Sequence, residues 1–319
     1  MTANTAPKGV FAAVSTPLTK GFEPDIQRFL DHCSWLLSNG CIGLVPLGTT
    51  GEANSLGMAE RQRLIETIGA SELPKDRLIA GTGCASVADT VHLSRAALDT
   101  GVNGVLLLPP FYYKDPSEEG LFRHFAAVAE GLEACAPRIF LYHFPQLSAV
   151  PITTGLVGRL RSAFPGVFIG LKDSSGDMNN TLAFIKEFPG FEVFAGMETF
   201  AAATLDAGGW GCISATVNLS APIVARRISG ISGKEAERLD RTIADLRSEI
   251  SALGNVSAIK AALAIYRNDP EWARTAPPNV PLDNACARQL ANRLDEIAGL
   301  RSYFGHAPAS VQPIASTAA

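Results

Sequence analysis

From residue 10 onward, eight short apolar runs that end near Gly, Pro, Thr or Asp alternate with longer stretches of helical period. This alternation, read as repeated βα units, leaves few folds open. The runs are Val10–Leu18, Cys41–Gly48, Arg77–Gly83, Gly104–Pro109, Arg138–Phe144, Val167–Asp173, Phe191–Gly196 and Trp210–Thr216. Between them apolar residues recur three and four apart, as Leu64, Ile65 and Ile68 do after Met58, or Phe184, Ile185 and Phe188 after Asp177. Runs such as Val105-Leu-Leu-Leu108 and Ile139-Phe-Leu-Tyr142 are apolar at every position, as strands covered on both faces are. Eight such units closing on themselves give an α/β fold, the (β/α)8 TIM barrel of about 250 residues. An open doubly wound sheet, which uses fewer strands, is the alternative.

After the eighth run only helical period remains, over roughly Pro222–Ile231, Gly233–Leu253, Val256–Arg267 and Asp283–Ser302. The expected division is a barrel over 8–225, a small C-terminal helical extension over 226–303, and a flexible tail rich in Ala, Ser and Pro over 304–319.

Of the 319 residues, 47% are apolar and 18% charged, enough for one large barrel with a sizeable core. The 27 basic and 31 acidic residues give a formal charge of −4, and no run of Lys or Arg could track a phosphate backbone, so nucleic acid is not expected as a partner. The polar start MTANTAPKG has no signal-peptide core, and no segment approaches the ~20 apolar residues of a membrane span, which predicts a cytoplasmic protein without membrane contact. Cys33, Cys41, Cys84, Cys135, Cys212 and Cys286 form no CxxC pair and read as free, buried thiols. The five histidines make neither HxxxH nor HxH, so no metal is expected.

In such barrels reactive groups lie at the carboxyl ends of the strands. Lys172 closes the apolar run Val167-Phe-Ile-Gly-Leu171, whereas lysines 8, 20, 75, 114, 186, 234 and 260 fall in termini, turns or helices where solvated heads are the default. An amine desolvated at a strand end is poised to attack a carbonyl. The competing reading is a structural ion pair with Asp173. The loop Gly48-Thr-Thr-Gly-Glu-Ala53 offers backbone N–H groups and two hydroxyls suited to a carboxylate, or a mere tight turn. Tyr142, near the end of the fifth run, can relay a proton if a second hydroxyl holds it, or it is a core tyrosine. His143 should point away from it. The aromatic loop Pro109-Pro-Phe-Tyr-Tyr-Lys114 suits an interface.

Together these places resemble the pyruvate-dependent class I aldolases typified by dihydrodipicolinate synthase and N-acetylneuraminate lyase. The resemblance spans about residues 8 to 225 and rests on GTTGEA at 48–53, PPFYY at 109–113, LYHFP at 141–145, GLKDSSGD at 170–177, FAGMET at 194–199 and CISATVN at 212–218. It implies that Lys172 forms a Schiff base, that Tyr142 relays protons, and that Thr49 and Thr50 surround the pyruvate carboxylate. It also implies that Tyr112 reaches into a neighbouring subunit of a homodimer or homotetramer, and that the backbone at Gly196 and Ile213 lines the pocket. Gly48 and Ser174 join the expected substrate-binding set, and no metal or organic cofactor is implied. Two departures bear on the substrate. Where the lysine-biosynthetic synthases carry an Arg this chain has Leu147, which argues against dihydrodipicolinate synthesis, and the acidic pair of the sialic-acid lyases appears here as Glu198 and Thr199. The expected activity is therefore a Schiff-base lyase or aldolase acting on a 2-oxo-3-deoxy or 4-hydroxy-2-oxo acid, with pyruvate as product or donor. A Schiff-base dehydratase of a deoxy sugar acid and a non-catalytic barrel that binds a 2-oxo acid are the alternatives.

Overall fold

The computed structural model describes residues 5–304. Its strands are β1 (Gly9–Ala13), β2 (Gly43–Val45), β3 (Ile79–Gly81), β4 (Gly104–Leu107), β5 (Ile139–His143), β6 (Phe168–Asp173), β7 (Glu192–Ala195) and β8 (Gly211–Ser214). All pair in parallel in the order β2-β1-β8-β7-β6-β5-β4-β3. The gap between β2 and β3 is closed by a parallel bridge from Leu44 to Leu78 and by the Gly81 N–H, which donates to the Pro46 carbonyl at 2.9 Å. The sheet is therefore a (β/α)8 barrel. Most strands end before the apolar runs do; at β2 and β4 the reason is local, because Pro46 and Pro109 have no N–H to donate to a ladder. The polar residues so released form the loops at the carboxyl end.

The helices are α1 (Ile26–Ser38), α2 (Met58–Ala70), α3 (Val87–Asp99), α4 (Glu118–Gly131), the single turn α5 (Pro145–Ser148), α6 (Thr154–Ala163), α7 (Met178–Glu187), α8 (Ala201–Asp206) and α9 (Val217–Ile228). Side-chain oxygens of Asp25, Ser86, Ser117, Thr153 and Asp177 accept first-turn N–H groups and fix where α1, α3, α4, α6 and α7 begin. α9 starts five residues before Pro222, the helix start expected from sequence, and the expected boundary at 225/226 falls inside it. The proline is tolerated because the upstream turn is held independently. Asn218 donates to the carbonyls of Ala13 and Ala215 and accepts from the Ser15 N–H, while Ser220 Oγ donates to the Thr216 carbonyl.

The barrel interior is filled by Phe11, Val45, Ile79, Leu106, Phe140, Phe194 and Ile213, with Tyr142 above them. Gly43 makes room for this packing, since a Cβ there would stand 2.1 Å from the Phe11 ring. Outside the barrel a larger apolar layer joins strands to helices. The extension comprises α10 (Gly233–Ala252), α11 (Asn255–Tyr266) and α12 (Asn284–Ala298). α10 buries a stripe of Ala236, Leu239, Ile243, Leu246 and Ile250, whereas α11 is buried on nearly all sides. Phe304, assigned to the tail from sequence, is buried against Trp35 at a ring distance of 4.3 Å, and residues 305–319 lie outside the described residues. No helix among the described residues is long and apolar enough to cross a membrane.

Candidate active site

Strand alternation settles which way the residues of β6 point. Gly170 and Lys172 face the barrel interior, Leu171 and Asp173 the helices. Asp173 is consumed on its own side: it accepts from Ser175 N–H at 2.9 Å, from Asn180 Nδ2 at 3.0 Å and from Thr181 Oγ1 at 2.7 Å, pinning the first turn of α7. It therefore leaves Lys172 without the ion pair that sequence reading held open. Lys172, 5% exposed, instead donates from Nζ to the Tyr142 hydroxyl at 3.2 Å and lies 4.2 Å from the centre of its ring. Tyr142 is its register partner on β5 and also faces inward. Its hydroxyl in turn stands 3.4 Å from Thr49 Oγ1. Thr49, Tyr142 and Lys172 thus form a continuous hydroxyl–hydroxyl–amine chain at the carboxyl end of the barrel.

This chain lines a cavity of about 360 Å³ together with Thr50, Ser174, Gly196 and Leu147. Gly196 is required by close approach, because a Cβ there would meet Ser174 Oγ at 2.1 Å. Leu147, 60% exposed, stands on α5 at the rim and offers no polar atom. Gly48 borders a small recess beneath Thr49, and Ile213 packs into the barrel interior below the cavity rather than on its wall. His143 points outward as alternation requires. Its Nδ1 accepts the Ile152 N–H at 3.0 Å, and burial holds it below the ordinary histidine pKa. Larger recesses exist, one of about 600 Å³ between α10 and α12, but it does not place a buried amine beside a hydroxyl relay.

Three expectations, at Lys260, Glu198 and Thr199, need restating against these positions. Lys260 is not solvated: it is fully buried on α11 and ion-paired with Glu52, and burial pulls its pKa down. Glu198 and Thr199 do not line the cavity. The carboxylate of Glu198 lies behind the wall, accepting from Ser214 Oγ, from Thr216 Oγ1 and, at 2.8 Å, from Arg247 Nη1. Tyr112 is 73% exposed and does not line the cavity of its own chain.

The cavity also has a wall that sequence reading missed. Arg247 on α10, Asn255 and Ser257 on α11, and Asn279 after it all line it. Arg247 directly follows Leu246 of the buried stripe, and a charged residue beside such a stripe reads as solvated. Its helical period carries no sign that it faces a cavity.

The dihydrodipicolinate synthetase family model matches residues 6–297. An uncharacterized DapA-like lyase of Chloroflexus aurantiacus is 36% identical over 312 residues, covering 96% of this chain and 99% of its own. Among solved structures, a dihydrodipicolinate synthase from Agrobacterium tumefaciens superposes with a TM-score of 0.83 at 31% identity, covering 91% of this chain and 99% of its own. YagE of E. coli K12, a prophage protein of the dihydrodipicolinic acid synthase family in complex with pyruvate, gives 0.80 at 26% identity over 91% of this chain and 98% of its own.

Proposed function

The chain belongs to the dihydrodipicolinate synthetase family, and from that premise we propose that it is a Schiff-base lyase that cleaves or forms a carbon–carbon bond in a 2-oxo-3-deoxy or 4-hydroxy-2-oxo acid, with pyruvate as product or donor. The observation that carries the reading is the buried Lys172, bonded to a tyrosine hydroxyl and, among the described residues, without a carboxylate partner. The YagE relative, which holds pyruvate, supports the donor.

In the cleavage direction the uncharged Lys172 amine adds to the 2-oxo carbon. Tyr142 hands a proton to the carbinolamine oxygen, water leaves, and an iminium remains. A base then takes the proton of the 4-hydroxyl, the C3–C4 bond breaks, and its electron pair flows into the iminium. The aldehyde departs and an enamine stays on Lys172. Protonation at C3 and addition of water to the regenerated iminium release pyruvate and the free amine. Thr49 holds the Tyr142 hydroxyl in position for that proton transfer. Thr50 and the loop N–H groups after β2 are suited to the C1 carboxylate.

Borohydride added with pyruvate should fix the ligand to Lys172 by mass spectrometry, and Lys172→Ala should abolish labelling and turnover. Labelling at Lys260, the other buried lysine, would overturn the assignment. Pyruvate with aspartate semialdehyde should give negligible condensation, because no Asp or Glu among the cavity-lining residues receives its ammonium.

A further inference from the structure

We propose that Arg247 is a specificity-determining residue, receiving an anionic group at the distal end of the substrate, so that the natural substrate is a 2-oxo acid with two anionic ends. This deepens the lyase reading and rests on it. Among the cavity-lining residues the cations are Lys172 and Arg247, and none is an Asp or Glu. Once the Lys172 nitrogen is bonded to the 2-oxo carbon, Arg247 is the lining cation left to meet the far end of the molecule.

Arg247 is built to hold a position rather than to wander in solvent. Its side chain is 19% exposed, and its Nη1 donates to Glu198 Oε2 at 2.8 Å and approaches Ser214 Oγ at 3.4 Å. Glu198 is itself buried and anchored by the hydroxyls of Ser214 and Thr216. One end of the guanidinium is thereby fixed by the barrel. Among the described residues, Nε and Nη2 have no hydrogen-bond partner, and neither is a sealed-off buried atom. A guanidinium held by one nitrogen, with donors left over on a cavity wall, matches a carboxylate or phosphate better than a lone hydroxyl, because its parallel N–H groups pair with two oxygens at once. The first turn of α11 adds to the same wall. Its cap residue is Gly254, with no side-chain acceptor, and its opening residues Asn255, Val256 and Ser257 line the cavity with no acidic side chain among them. This second cation is not legible from the strand-end motifs, because Arg247 arrives from α10, a helix outside the barrel.

The test compares binding of 2-oxo acids that differ only in a terminal carboxylate, by calorimetry on the full-length protein: 2-oxoglutarate against 2-oxovalerate and 2-oxoadipate against 2-oxohexanoate. At least one dicarboxylate should bind about 10- to 100-fold more tightly than its partner, the range of a charge-assisted hydrogen-bonded pair. In Arg247→Gln that ratio should fall toward one. Should loss of Arg247 leave Glu198 buried and unpaired so that the variant fails to fold, the double variant Glu198→Gln/Arg247→Gln removes both charges and gives the same reading. Competition by glutarate but not inorganic phosphate assigns a carboxylate terminus, and the reverse assigns a phosphate ester. Equal affinities in the unmodified protein, or a preference that survives both variants, overturn the proposal. Borohydride labelling with pyruvate is run in parallel. A dicarboxylate preference without labelling at Lys172 overturns the Schiff-base reading and leaves the anion site standing.

Discussion

His32 lies fully buried on α1, between the barrel and the extension. Arg267 Nη2 faces its Nδ1 at 3.0 Å, and a guanidinium can only donate, so Nδ1 accepts and the ring proton resides on Nε2, which donates to Asn218 Oδ1 at 2.8 Å. Burial first, and the Arg267 charge second, lower its pKa to about 3 from the ordinary 6.5. The unfolded chain thus takes up a proton below pH 6.5 that the folded one refuses until about pH 3. The stability is whole above 6.5 and is lost progressively as the pH falls through that window. Between pH 6.5 and 5, where few carboxylates titrate, the loss due to this residue should be about 2 kcal/mol. Urea unfolding at the two pH values should show His32→Gln losing correspondingly less than the unmodified protein. An identical loss in both would show that His32 does not carry the effect.

Between elements, the tie that bears most directly on the site joins the loop after β2 to α11. Glu52 holds a left-handed backbone at φ 55°, costly for a residue with a Cβ. It is kept there by its carboxylate, which accepts from Lys260 Nζ, from the Ala276 N–H at 2.8 Å and from Asn279 Nδ2 at 3.3 Å. Two and three residues earlier stand Thr50 and Thr49, so the hydroxyls beside Tyr142 are positioned from the extension as well as from the barrel. Lys260→Met leaves a buried carboxylate without its counter-charge and should cost about 3–5 kcal/mol. Glu52→Gln/Lys260→Met, with both charges gone, should recover much of that loss in denaturant unfolding. Equal destabilisation in the single and double variants would mean that packing, not charge, decides the cost.

At the scale of the molecule, the aromatic loop after β4 is the feature left unexplained by a single chain. Tyr112 and Tyr113 are 73% and 72% exposed, their rings 5.3 Å apart in an edge-on pair. Two large aromatic rings held in water suit a surface that another copy covers. The expected unit is at least a dimer in which each chain lends Tyr112 to the hydroxyl relay of Thr49 and Tyr142 in its neighbour. Tyr112→Phe should stay oligomeric in sedimentation while losing roughly ten- to a thousand-fold in turnover. Mixed with Lys172→Ala under subunit exchange, it should regain activity, because one site of the mixed dimer then holds both Lys172 and a donated Tyr112. A mixture as inactive as its parents would assign Tyr112 to its own chain or to packing.

Local period determined the eight βα units and their closure into a barrel, and motif marked Thr49, Tyr142 and Lys172 as candidates at its carboxyl end. The units follow from periodicity within each element, which the residue order itself encodes. Tertiary structure alone decided the partners of the buried charges. Glu198 meets Arg247 across 49 residues, and Glu52 meets Lys260 across 208. Helical period marks which face of α10 or α11 is apolar, but the charges beside that face read as solvated until the barrel end they cover is known. The same holds at Tyr112, where one chain leaves the ring in water and only the arrangement of several could give it a partner.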